Sequence, residues 1–396
     1  MQIVRKLHLV LGLILCILLP LSAVSQENSE KKEKKKKERK AVNPNFKHKF
    51  TTFHLEARAA FEYDYEHDEW RYSSPLGVLP SHGEATQHNY GFHGDYFNFL
   101  LGGEVGDHIS YFIRQRIIPI KGYTEFFDNT DFLYIQYRFN DNWALRVGKE
   151  ALYVGGYEYD APPIDVYYYT HYWGAFPCFH LGASAIYTDK SGKNKVVLQV
   201  ANSPYVKYGD NTWKSGLLSY NLYWAGDYGP FHTLYSVNMM EYQRGKFINY
   251  IALGNQLRFP KWSIYLDWTN RAAGFDNFFE DFSLVSRVDW HVSPSVNLFA
   301  KGGYEQNSAR YYYGDHVDVD MLMPNDLTHC FYGLGVEYRP RVYPDLRVHA
   351  FVANSVRTLP MGITGDYGFH DMTLTANVGV SWRLDFMKFL PAKMKS

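Results

Sequence analysis

Between residues 132 and 187 the chain alternates apolar and polar residues with a period of two. Leu133, Ile135, Tyr137 and Phe139 form one run, and Trp143, Leu145 and Val147 form the next. A short turn, Asn140-Asp141-Asn142, joins them. A long segment rich in Tyr, Pro and Gly follows, residues 153–177, and then a third run, Phe179, Leu181, Ala183, Ala185 and Tyr187. Period-two alternation belongs to a strand with one apolar face, because a helix would need apolar residues every three or four positions. The unit of tight turn, strand, long loop and strand recurs along the chain. It predicts a transmembrane β-barrel with short turns on one side and long loops on the other.

Sixteen antiparallel strands are expected, at residues 50–65, 96–105, 109–118, 131–139, 143–152, 179–188, 195–203, 216–225, 231–242, 247–259, 262–272, 282–292, 296–306, 331–338, 346–356 and 372–386. The connections test this count. Every even-to-odd connection is a compact turn of Gly, Asp, Asn, Pro or Ser, and most odd-to-even ones are longer. An even number also returns both termini to the same side, as single-chain bacterial barrels require. Phe139, Trp143, Trp224, Phe231, Phe259, Trp262, Trp290, Tyr338 and Trp382 all fall near the short turns. That placement makes an interfacial aromatic girdle. A soluble sandwich would bury such rings mid-strand.

Composition fits this reading and removes the helical alternative. After the N-terminal segment no stretch approaches the ~20 consecutive apolar residues of a membrane helix, yet aromatic residues make up 18% of the chain. At the N-terminus, Arg5 and Lys6 precede an apolar run from Leu9 to Leu21 and a small-residue site at Ala23-Val24-Ser25. These features predict a cleaved secretory signal peptide over residues 1–25. Cys16 does not read as a lipidation site, since the residue before it is large and the apolar run continues past it. Residues 26–49 are expected to be a basic disordered periplasmic tail, with KKEKKKKERK at 31–40. The barrel is expected over 50–386 and a periplasmic C-terminal tail over 387–396. Residues 41–396 carry 31 basic and 37 acidic residues, so an acidic barrel follows a basic tail. Cys178 and Cys330 start strands on opposite sides of a barrel roughly 30 Å across, too far apart for a disulfide. Both are expected to be free thiols.

The polar parity of the strands should face the lumen, with basic and acidic residues near balance. Such a wall keeps a wide barrel hydrated. A sharper reading takes Arg114, Arg116 and Arg146, on neighbouring strands, as a basic stripe that steers anions. Arg138, Arg58 and Lys301 are further pore-lining candidates. No nucleophile elbow, HExxH, P-loop or dinucleotide fingerprint occurs. His54, His180, His232, His291 and His349 fall one per strand and read as ordinary lumen residues rather than metal ligands. No cofactor, metal or nucleic acid is expected. Asp315, Asp318, Asp320 and Asp326 lie in one predicted external loop and read as solvated acids.

One stretch carries a family resemblance. Leu145-Arg146-Val147-Gly148-Lys149-Glu150, then Gly155-Gly156-Tyr157-Glu158-Tyr159-Asp160, then Pro163-Ile164-Asp165-Val166-Tyr167, resembles the phosphate-selective porin O and P family in its Bacteroidota branch. The resemblance implies a sixteen-stranded, trimeric porin of the bacterial outer membrane. It also implies that loop 153–177 folds into the lumen as a constriction, with Tyr157, Glu158, Asp160, Asp165 and Tyr167 as its residues. Anion-selective members line this zone with lysine and arginine. The present loop contains neither; it carries acids and a run of three tyrosines, Tyr167-Tyr168-Tyr169.

These readings converge on a passive outer-membrane porin for small hydrophilic solutes or ions, with anions such as phosphate among them. Its surroundings would be outer-membrane lipid and two further copies of itself. The alternatives are a loop that caps the barrel from outside, a non-conducting structural or assembly barrel of a surface complex, and an enzyme barrel with a catalytic set at its rim.

Overall fold

The computed structural model describes residues 48–72, 81–117, 127–205, 216–272, 281–307, 327–359, 367–391 and 394. Sixteen strands form one closed antiparallel barrel in which every strand pairs with its sequence neighbour and β16 closes on β1. The strands are β1 (His48–Tyr72), β2 (Ser81–Val105), β3 (Ile109–Arg116), β4 (Thr130–Arg138), β5 (Trp143–Ala151), β6 (Phe179–Thr188), β7 (Asn194–Asn202) and β8 (Leu218–Tyr228). They continue as β9 (Phe231–Gln243), β10 (Lys246–Arg258), β11 (Trp262–Ala272), β12 (Phe282–Ser293), β13 (Val296–Gln306), β14 (Thr328–Tyr338), β15 (Leu346–Leu359) and β16 (Tyr367–Asp385). Closure leaves no barrel edge unpaired, which a structure spanning lipid requires.

Alternation sorts the side chains as the sequence implies. On β4 the outward residues Leu133, Ile135 and Tyr137 are exposed, and so are Leu145 and Val147 on β5. These form the apolar belt of a barrel that presents one face to lipid. Eight of the nine expected girdle aromatics are exposed on that face; Trp224 is partly covered, and its indole N–H donates to Asn194 at 3.1 Å. Below the belt, Phe386 follows β16 and packs its ring 4.9 Å from that of Phe53.

The largest departure from expectation is the β1–β2 hairpin. Its strands run to Tyr72 and from Ser81, not to 65 and from 96, and β16 begins at Tyr367 rather than 372. Residues 81–95 carry Gly, His and polar residues on both parities, so no period-two signal marks them. Their strand character comes from pairing with β1, as in Phe61↔Phe92 and Glu69↔Glu84. Tertiary pairing overrides weak local propensity here.

Two bulges matter for the interior. Arg58 pairs with Tyr96 and Ala59 with Gly94, which leaves Asp95 as an extra residue on β2. Arg114 pairs with Phe132 and Gln115 with Thr130, which leaves Asp131 as an extra residue on β4. An extra residue re-aims its own side chain. In both places it brings an aspartate onto an arginine of the adjoining strand: Asp95 onto Arg58 at 2.9 Å, and Asp131 onto Arg114 and Arg116 at 2.7 and 2.8 Å. Strict alternation does not put either aspartate on the inner face.

Cys178 is partly covered and Cys330 is exposed on the outer parity of β14; both are free. Residues Asp315, Asp318, Asp320 and Asp326 lie outside the described residues, as do the signal and tail segments 1–47.

Candidate functional site: a loop across the lumen

Residues 152–178 join β5 to β6 and contain two short helices, α1 (Tyr157–Asp160) and α2 (His171–Ala175), with a 3-10 turn at Pro163–Asp165 between them. Thr170 caps α2, its hydroxyl accepting from the Trp173 N–H at 3.1 Å. The segment leaves the wall at β5 and crosses to the far side of the barrel. The cap-from-outside alternative does not describe it, since its hydrogen bonds reach inward-facing residues of eight strands besides its own.

The outbound limb lies on β7–β11. The Tyr153 N–H donates to Gln199 at 3.0 Å, and the Gly155 N–H donates to the Ser236 hydroxyl at 2.8 Å. The next N–H, of Gly156, donates to the Leu234 carbonyl at 3.2 Å. Two glycines are needed for this approach. A Cβ on Gly155 would sit 2.5 Å from the Leu234 oxygen, and Gly156 has φ +105° with Asp267 beside it. Beneath this limb runs a buried polar row. Glu150 accepts from Arg146, Ser184 and Gln199. Gln199 accepts from Asn221, and Asn221 accepts from Asn238, which also donates to the Tyr153 carbonyl at 2.8 Å and accepts from the Ser236 hydroxyl. Each buried polar group thus finds a partner along the row.

At the far wall the loop meets cations. The Lys301 ammonium of β13 lies 2.6 Å from Glu158 and donates to the Tyr168 carbonyl at 2.6 Å. Glu158 also accepts from the Thr170 hydroxyl and N–H, and its own N–H donates to Asp267 of β11 at 2.8 Å. Arg347 of β15 and Arg383 of β16 hold the two oxygens of Asp165 at 2.5 and 2.8 Å. Arg58 of β1 donates to the carbonyls of Val166 at 2.7 Å and Ile164 at 3.3 Å. The Tyr167 hydroxyl donates to Glu337 of β14 at 2.9 Å, and its ring stacks 4.5 Å from His349. Burial pushes the Asp165 carboxyl up, but Arg347 and Arg383 outweigh it and hold the group below the usual carboxylate range.

The sequence-predicted residues therefore divide. Lys301 and Arg58 bind the loop. Tyr157 stacks on Tyr265 at 6.0 Å, and Glu158, Asp165 and Tyr167 fasten the loop to the wall. Asp160 is exposed, within electrostatic reach of Lys195 and Arg258. Arg114 and Arg116 on β3 and Arg146 on β5 lie either side of β4 but are not a row of free charges. Asp131 takes the first two, and Glu150 takes the third at 2.8 Å. Arg138 stands apart at the β2–β3 turn, donating to the Asp107 carbonyl at 2.8 Å. Sequence reasoning missed Asp95 and Asp131, for which the only signal would have been the bulges themselves. It also missed Arg347 and Arg383 as partners of the loop, because strand parity puts a residue on the inner face without saying what it meets there.

Residues 71–215 match the family model for phosphate-selective porin O and P. No curated protein sequence matches the chain. Among solved structures, the outer-membrane channel DcaP of Acinetobacter baumannii is similar at 12% identity and TM-score 0.56, over 84% of this chain and 97% of that one. The anion-selective porin from Comamonas acidovorans is similar at 12% identity and TM-score 0.50, over 83% and 100%. At such identities the likeness is one of fold. The chain shares the barrel of outer-membrane porins, and that fold together with the family match supports a passive diffusion channel rather than an enzyme.

Proposed function

We propose that this chain is an outer-membrane porin for small hydrophilic solutes and ions, in which loop 153–177 is the constriction. The observation that carries the reading is the way the loop is fastened. Its acids and carbonyls are bonded to cations of β1, β13, β15 and β16, so a segment without lysine or arginine is held across the lumen by the wall. On the side of β3 and β4, two guanidiniums share one carboxylate, which leaves one surplus positive charge beside the path. With Glu158 and Asp165 already paired, this surplus favours anions, phosphate among them; the similar porin from Comamonas acidovorans is itself anion-selective. Residues 1–25 would be removed on export, residues 26–49 would lie in the periplasm as a basic tail, and the working unit would be a homotrimer.

The test is the current of the purified full chain in a planar bilayer under a salt gradient. Steady conductance with a reversal potential on the anion side is expected. A folded, inserted protein that carries no current would replace the porin with a structural barrel. A reversal potential on the cation side would give control of selectivity to Asp160 and the other exposed acids.

A further inference from the structure

Three inward-facing residues near the long-loop ends of β13, β14 and β15 form a connected set; Glu305 also takes the loop's His171 and Tyr172 N–H groups, while His329 and Ser355 are bonded within the wall. Glu305 pairs across the sheet with His329, and Ser355 lies opposite Phe331, one inward step further along. His329 Nδ1 is 2.8 Å from Glu305 Oε2, and His329 Nε2 is 2.9 Å from Ser355 Oγ. Exposure is graded along the set: Glu305 is 0% exposed, His329 6%, and Ser355 is partly exposed to the lumen.

The hydrogen bonds fix the tautomer. Glu305 Oε1 accepts from the Ser283 hydroxyl at 2.6 Å and the Tyr172 N–H at 3.1 Å; Oε2 accepts from the His171 N–H at 2.5 Å. A carboxylate that accepts from three such donors accepts from His329 as well, so Nδ1 carries the ring proton. The Nε2 lone pair then faces the Ser355 hydroxyl. A buried carboxylate held by main-chain N–H groups and a hydroxyl, an oriented imidazole and an accessible serine are the parts that make a weak hydroxyl nucleophilic.

We propose that Ser355 is a nucleophile toward small acyl esters that enter the lumen, with His329 as its base and Glu305 as the positioning residue. Ser355 Oγ bonds to the acyl carbon while its proton passes to His329 Nε2. The bond from the acyl carbon to the alcohol oxygen breaks, and the departing oxygen takes that proton. Water, deprotonated by His329, then attacks the acyl-serine; the acid leaves and Ser355 regains its proton. Ester and water give acid and alcohol, with no other reactant. The acyl group would be short, since the rings of Phe331, 5.3 Å from the His329 ring, and Tyr168 already fill the neighbouring wall.

The groups facing His329 are Glu305 from β13, His171 from the loop at 6.5 Å between rings, and Arg357, its cross-strand neighbour on β15. Arg271 of β11 bonds Ser283 behind Glu305. Burial lowers the His171 pKa against the pull of Glu305, so this second imidazole stays neutral at pH 7.

The experiment treats the refolded full chain in detergent with a fluorophosphonate probe and, separately, with p-nitrophenyl acetate. Covalent labelling that maps to Ser355, together with a p-nitrophenol burst, is expected in the wild type. Both should disappear in Ser355→Ala while bilayer conductance and heat-modifiability on gels stay unchanged. His329→Gln should slow labelling roughly 10²–10⁴-fold, the range of a lost general base, and remove the rise of its rate with pH. A folded, conducting wild type that takes no label overturns the proposal, as does equal labelling of Ser355→Ala. Conductance is scored separately, so the outcome here is independent of the porin reading.

Discussion

The lumen holds two sets of basic residues that look alike in sequence and are employed differently. Arg58, Lys301, Arg347 and Arg383 reach across to the loop and bond its carbonyls and acids. Arg114 and Arg116 are bonded within the wall itself, to Asp131, and Arg146 is bonded mainly to the wall, through Glu150 and Gln136, with one further bond to the Tyr153 hydroxyl of the loop. The first set is structural for the constriction: its charges are matched by a segment with none of its own sign. The second set remains beside the path, with one guanidinium more than its carboxylates. The comparison teaches that charge count along a barrel says little about selectivity. What matters is which cations are already taken by the loop.

Removing a loop-binding cation should have the largest effect. Glu158 and Lys301 are each 5% exposed, and a buried charge left without its partner costs about 3–5 kcal/mol. Lys301→Met should therefore lower the urea midpoint of the folded barrel and make single-channel current larger and noisier as the loop lifts. An unchanged midpoint with quiet current would remove the distinction between the two sets.

A wall carboxylate comes next. Asp131→Asn leaves Arg114 and Arg116 sharing a neutral amide. The expected cost is about 2–3 kcal/mol, less than for Lys301 because the amide oxygen still accepts from a guanidinium, although the NH2 that replaces the other oxygen cannot. The comparison is sharpened by what else happens: the reversal potential should move further to the anion side while the current stays quiet. A change in noise without a change in selectivity would put Asp131 in the loop-binding set.

The smallest effect is expected at Asp165: its partner Arg383 is more than a third exposed and screened by solvent, and its buried partner Arg347 keeps bonds to the Ile164 carbonyl and the Ser381 hydroxyl. Asp165→Asn should cost about 1–2 kcal/mol. The pH dependence follows from the direction of its shift. A carboxyl held below its ordinary range in the folded state contributes fully above that range, and the contribution is lost as pH falls through the lowered value. The wild-type loop current should thus stay constant between pH 7 and 5, where Asp165 remains ionised, and should approach that of the Asn variant only in stronger acid. Convergence of the two near pH 6 would break the assignment.

Much of the fold was legible because lipid imposes a simple rule. Leu133, Ile135, Leu145 and Val147 had to alternate with polar neighbours, and the compact turn at Asn140-Asp141-Asn142 had to lie on the short-turn side. The sixteen strands and their order follow from that rule. The outer ends of β1 and β2 were not legible, since residues 81–95 carry polar residues on both parities and so no pattern. In the loop, the paired glycines at 155 and 156 stood out in sequence, and the contacts that require them lie on β9 and β11. His329 escaped notice altogether: one histidine in a strand has no local signature, and its partners are 24 and 26 residues away.

The sequence by itself determined the barrel, its strand count, its lipid face and the presence of a long loop between the fifth and sixth strands, because each depends on local periodicity and on turn chemistry; that this loop lies inside was implied only by the family resemblance. The tertiary structure alone decided which charges meet. Bulges at Asp95 and Asp131 break the alternation and move an acid onto an arginine, and barrel closure brings β1 and β13–β16 within reach of a loop that begins at β5. Partners so far apart in sequence leave no periodic trace, so only the closed barrel shows which of the cations among the described residues are already paired.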